Sequence, residues 1–142
     1  RIEYPPYQPR IREEAGKDQI FDGIRKRWVA LTPEEWVRQH FLQYLLQVKQ
    51  YPASLIAVEK EIRFGELKKR FDIVVYSRAT KPWIVIECKE PGVVLDQKVL
   101  DQVLRYNMTL RVPYLVITNG HYSRAVAINN QTLTEIDALP DL

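Results

Sequence analysis

Between Thr32 and Cys88 the spacing of apolar residues changes from steps of three and four to a step of two. This switch limits the chain to folds in which a helix feeds directly into a sheet. The first part opens on Thr32-Pro33-Glu34-Glu35, with Thr32 as N-cap, Pro33 at the first helical position and Glu35 closing a capping box. Val37, Phe41, Tyr44, Leu45 and Val48 then form one apolar stripe, which predicts a helix to about Gln50, ended by Tyr51-Pro52. Alternation follows over 55–64, over 67–77 beyond a Gly65-Glu66 turn, and over 83–88, which predicts three successive strands in a meander. A second helix is expected from about Leu95 to Leu110, with Val99, Val103 and Tyr106 on one face and Val112-Pro113 as its end. Tyr114–Thr118 reads as a buried strand, Asn119-Gly120 as a turn, and Arg124–Ile128 as a further strand before a polar tail. Helix, three strands, helix and two strands make an α/β sandwich around a mixed β-sheet flanked by helices.

Ahead of the first helix, residues 1–17 carry three prolines and no sustained period, so an irregular N-terminal arm without a function is expected there. Ile20–Leu31 reads either as a strand pair or as one short strand. At 142 residues the chain suits one domain, placed at 18–142. No apolar run approaches the roughly 20 residues that cross a bilayer, and the polar, proline-dotted start is unlike a signal peptide, so a cytoplasmic protein is expected. Cys88 is the only cysteine, which excludes an intrachain disulfide and leaves too few ligands for a cysteine zinc cluster. His40 and His121 have no Asp or Ser in suggestive spacing and read as structural. A net charge of +3 suits a polyanionic partner. The triplets Arg25-Lys26-Arg27 and Lys68-Lys69-Arg70 either touch phosphates or simply face water.

The third predicted strand, Ile84-Val85-Ile86-Glu87-Cys88-Lys89, breaks an apolar run with two opposite charges that alternation puts on one face. The second does the same with Asp72, inside Arg70-Phe71-Asp72-Ile73-Val74-Val75. Such charges are costly unless they are paired, solvated or metal-bound. A connection centred between residues 79 and 80 sets Asp72 opposite Glu87, where antiparallel neighbours have Cβ atoms about 4.5–5.5 Å apart and two carboxylates can share one divalent ion. That chemistry suits phosphodiester hydrolysis with Mg²⁺ or Mn²⁺, with Lys89 orienting the attacking water or neutralising developing charge. The alternative is a buried Asp–Lys–Glu network that only fixes strand register. Cys88 faces away from Glu87 as a core residue, and Glu59 and Glu61 read as ordinary members of a half-exposed strand.

Asp72 followed after fourteen residues by Glu87-Cys88-Lys89, between two helices, resembles the PD-(D/E)XK nuclease superfamily. Gln102-Val103-Leu104-Arg105-Tyr106 contains a Q-x-x-x-Y pattern similar to its RecB-like branch. The stretch from about Gln19 to Asn130 resembles the amino-terminal nuclease domain of type I restriction enzyme R subunits, through Thr32-Pro33-Glu34-Glu35, Arg70-Phe71-Asp72, Glu87-Cys88-Lys89-Glu90-Pro91 and Thr118-Asn119-Gly120. Phe71 stands where the superfamily's name expects proline. The resemblance implies a restriction-endonuclease-like core in which Asp72, Glu87 and the Cys88 carbonyl hold Mg²⁺ or Mn²⁺ and Lys89 serves the water. It implies that Gln102 and Tyr106 contact DNA backbone or support the site, and that Glu35 is a further acidic residue. Glu35 also has its place in the capping box, and Gln102 and Tyr106 also fit a surface amide and a core-edge aromatic. The expectation is a metal-dependent endodeoxyribonuclease of restriction or defence type. The alternatives are a nucleic-acid-binding module of the same fold that does not cut, and a small structural domain. R subunits continue into motor domains and this chain ends at Leu142, so either a stand-alone relative or a chain working with a separate helicase, translocase or specificity subunit is expected. Double-strand cutting needs two active sites, which makes a homodimer plausible.

Overall fold

Two sheets follow one another along the chain, a small one built before the first helix and a large one after it. The computed structural model describes residues 2–107, 111–130 and 132–142, and the backbone alone at Tyr106. β1 (Ile11–Glu14), β2 (Lys17–Asp22) and β3 (Arg27–Ala30) form an antiparallel sheet in that order. α1 (Pro33–Gln43) leads to β4 (Ile56–Phe64), β5 (Leu67–Tyr76) and β6 (Pro82–Cys88), the expected meander. α2 (Gln97–Tyr106) is the crossover to β7 (Tyr114–Thr118), which pairs parallel with β6. β8 (Ser123–Asn129) and β9 (Thr132–Ile136) complete a six-stranded mixed sheet in sequence order. The expected 108–110 segment of the second helix lies outside the described residues.

The core is layered on both faces of this sheet. Val37 and Phe41 of α1, with Leu45 just beyond it, pack on Ile73, Val75, Ile84, Ile86 and Val116, while Leu100 and Val103 of α2 pack on Val74, Val85, Leu115 and Ile117. Each such side chain removed from water contributes about 1.5–3 kcal/mol, so the central strands have stability enough to carry charges at their ends. Alternation fails at one place: Ile73 belongs to the α1 side, yet Phe71, two residues before it, belongs to the α2 side. Across the ladder Val58 and Ile62 divide in the same way. Between them Glu59 holds a left-handed φ of 51°, a local distortion that lets both strands exchange faces without losing register.

Three expectations need correction. The supposed arm is structured: Ile11–Glu14 is a strand, and Tyr4 packs edge-on against Phe41 and Tyr44 while its hydroxyl bonds to Thr118 and Ser123. The stripe of the first helix loses Val48, which is half exposed. The helix widens into a π turn over Tyr44–Val48, closed by Lys49 N–H donating to the Tyr44 carbonyl (3.1 Å), and the wider turn rotates Val48 off the buried face. The polar tail contains β9, whose residues are mostly exposed. Beyond β9, Leu139 enters the core, where Tyr51 Oη donates to the Pro140 carbonyl. Among the described residues no helix is long and apolar enough to cross a membrane.

Candidate active site

The β5–β6 ladder ends on the pair Ile73 with Ile86, and Asp72 and Glu87 are the residues that follow that pair on the two strands. Asp72 closes the end of the ladder with its side chain. Its Oδ2 accepts from the Cys88 N–H (2.8 Å), and its Oδ1 accepts from Arg38 Nη2 of α1 (2.9 Å). Glu87 reaches toward the other layer, where its Oε1 accepts from Asn107 Nδ2 (3.4 Å), and Asn107 Oδ1 accepts from Lys69 Nζ (3.3 Å). Burial raises the carboxyl pKa of Glu87 and the negative Asp72 adds to the rise, against the Asn107 hydrogen bond and the positive Lys89 and Lys69. Lys89 is fixed through its backbone: its N–H donates to the Thr118 carbonyl at 2.7 Å, one step past the Cys88–Thr118 pair of the parallel ladder. Alternation keeps its side chain on the face of Glu87. Cys88 points into the α1-side core, and burial pushes its thiol pKa up, as befits a packing residue.

Glu35 is buried, and only half of its expected capping box forms. Its N–H donates to Thr32 Oγ1 (3.0 Å), but its carboxylate turns inward to Arg25 Nη2 (2.9 Å), Arg38 Nη1 (2.7 Å) and Gln39 Nε2 (3.0 Å). Two charge-assisted bonds outweigh the single backbone donor that a full box offers. Sequence reasoning missed the rest of this network. Asp22, fully buried, accepts from Arg25 Nε (2.7 Å) and Gln39 Nε2 (2.9 Å). Glu59 lies 3.4 Å from Arg38 and 3.6 Å from Arg25. Arg38 therefore joins Glu35, Glu59 and Asp72, and its Nε is buried without a partner. A groove of about 470 Å³ runs beside them, lined by Thr32, Glu35, Arg38, Glu59 and Glu90 among others.

The remaining expected residues are spread more widely. Gln102 is exposed on α2, and the Tyr106 side chain lies outside the described residues. His40 bonds through Nδ1 to the Trp36 carbonyl (2.7 Å) and stacks on the Trp36 ring, with His121 on the same indole. Asp72, Glu87 and the Cys88 carbonyl offer hard oxygen donors of the kind that Mg²⁺ and Mn²⁺ take. Among the described residues no three His, Cys, Asp or Glu side chains are grouped to hold a metal ion.

A family model for the type I restriction enzyme R protein N terminus matches residues 33–140. The chain belongs to that family. The match starts at the first residue of α1 and runs past β9, so it contains the whole large sheet and all seven expected site residues. The β1–β3 sheet precedes it. A comparison with curated proteins gave no match. As a member of the R protein N-terminus family, the chain has a mixed α/β fold, and its place in that family suggests a restriction-type nuclease role.

Proposed function

We propose that this chain is a metal-dependent endodeoxyribonuclease module of restriction or defence type, similar in its site to the PD-(D/E)XK nucleases. The observation that supports the reading is that β5 and β6 pair up to Ile73 and Ile86, which leaves Asp72 and Glu87 as the next residues of the two strands, with Lys89 two residues on, in a member of the R protein N-terminus family. Asp72, Glu87 and the Cys88 carbonyl would hold Mg²⁺ or Mn²⁺. A divalent ion there supplies charge stabilisation at the scissile phosphate and a bound water of lowered pKa. Lys89, held by β7, orients the water and offsets charge that develops on the phosphate. Glu35 and Glu59 keep Arg38 in place behind Asp72, and Gln102 and Tyr106 lie on the helix that follows the site. DNA is the substrate, two copies act together in double-strand cutting, and a translocase or specificity subunit is the expected partner in the cytoplasm.

The test is cleavage of supercoiled plasmid with Mg²⁺, Mn²⁺ or EDTA by wild type, Asp72→Asn and Lys89→Ala. Metal-dependent nicking by wild type that is lost in both variants is the expected result. Undiminished cutting by either variant overturns the assignment. One observation favours a second reading, a DNA-binding module that does not cut: Arg38 already neutralises Asp72 at 2.9 Å. That reading predicts duplex binding by wild type with no cleavage at any metal concentration.

A further inference from the structure

The two basic triplets lie more than forty residues apart in sequence and meet in space on one oxygen of Glu59. Arg25, in the β2–β3 turn, comes within 3.6 Å of Glu59 Oε2 through Nη1, and Arg70 of β5 comes within 3.3 Å of the same atom through Nη2. Beyond this point the β4–β5 hairpin runs on to its Gly65-Glu66 turn. Its Ile62 and Phe71 are buried in the α2-side core, so the opposite face, carrying Arg63 across from Lys68 and Arg70 across from Glu61, is turned to solvent. Lys68 and Arg70 stand one two-residue step apart, about 6.7 Å along the strand. Lys26 and Arg27, which follow Arg25 in the chain, are exposed. This surface gathers Arg25, Lys26, Arg27, Arg63, Lys68 and Arg70, against which stand Glu59 and Glu61, the latter 3.8 Å from Arg63. Arg38 joins Glu59 (3.4 Å) to Asp72 (2.9 Å), so the cationic surface ends at the proposed cutting site.

We infer that the outer face of the β4–β5 hairpin and the β2–β3 turn form one continuous phosphate-binding track that leads a DNA backbone to Asp72. The inference rests on the nuclease reading for its substrate, but binding to the track needs no metal. Arg25 and Arg70 are already held by Glu59, whereas Arg63, Lys68, Lys26 and Arg27 have their charges directed to solvent or to one exposed partner. Each phosphate contact releases counterions and adds roughly 0.9 to the slope of log affinity against log salt.

The experiment measures duplex DNA binding in EDTA over a range of KCl concentrations by fluorescence anisotropy. It compares wild type, Arg63→Gln/Lys68→Gln, Lys26→Gln/Arg27→Gln, and Arg78→Gln/Lys81→Gln, the last removing the same charge from the β5–β6 connection at the far end of β5. Each of the first two pairs should lower the slope by about 1.8, and the third should leave it unchanged. An unchanged slope in either track pair, an equal loss in the far-end pair, or a wild type that binds no duplex overturns the inference. Plasmid cleavage in parallel separates the two readings. Cutting with unaltered slopes removes the track and leaves the nuclease, and the expected slopes without cutting remove the nuclease and leave the track.

Discussion

Arg38 is the side chain on which most of the acidic cluster depends. It is buried, it bonds to Glu35 and Asp72 and approaches Glu59, and Arg25, Gln39 and Arg70 each share part of that task. Removing one partner from a buried ionic group leaves the others without compensation at a cost of roughly 3–5 kcal/mol. Arg38→Ala is therefore expected to lower stability by about 3 kcal/mol in urea denaturation, the low end because Arg25 and Gln39 still hold Glu35. Arg70→Ala removes an ion pair at a mostly exposed guanidinium and is expected to cost under about 1 kcal/mol. An equal loss in both variants would show that the cluster behaves as surface charge. At this scale Asp72, Glu87 and Lys89 were legible because a charge inside an apolar strand is an anomaly visible in the local sequence. Arg38 and Arg25 were not, since a cation on a helix or in a turn reads as solvated until tertiary packing covers it. Glu59 was hidden for a related reason: its neighbours alternate in the ordinary way, and its reversed φ is a product of the two strands exchanging faces.

Elements with strong periodicity fell where the sequence put them. The meander, β7 and β8 begin and end within a few residues of their expected bounds, and α1 and α2 begin there, because each has an apolar face to bury; α1 gives way to a π turn at Tyr44. Elements without that face were missed: β9 is exposed along most of its length, and β1 is exposed throughout. Their pairing satisfies backbone groups and leaves no trace in side-chain pattern. The β7–β8 turn carries the sharpest element-level expectation. Gly120 has a φ of 87°, and a Cβ there would stand 2.7 Å from Cζ3 of Trp36 on α1. Gly120→Ala combines a left-handed backbone with a contact that the half-buried indole relieves only by moving, and should cost about 1–3 kcal/mol. A thermal midpoint equal to wild type would mean that the turn does not rest on α1 as described.

For the molecule as a whole, the cation proposed at Asp72 and Glu87 would bind the folded chain and not the unfolded one. Saturating Mn²⁺ at about a hundred times its dissociation constant should add roughly 2.7 kcal/mol to stability and raise the melting temperature, and Glu87→Gln should abolish the increment. A wild-type midpoint unmoved by metal would count against the ion site while leaving the fold untouched. The large sheet contains a single parallel pair, β6 with β7, and that pair divides it into two halves of different reach along the chain. Asp72 and Glu87 are fifteen positions apart, whereas Ile84 and its partner Tyr114 are thirty apart. Doubling a loop costs about 0.6 kcal/mol of closure entropy, so the meander is the cheaper half to assemble. Both carboxylates thus belong to one uninterrupted stretch of polypeptide, and a chain permuted so as to open after α2 would still carry them side by side.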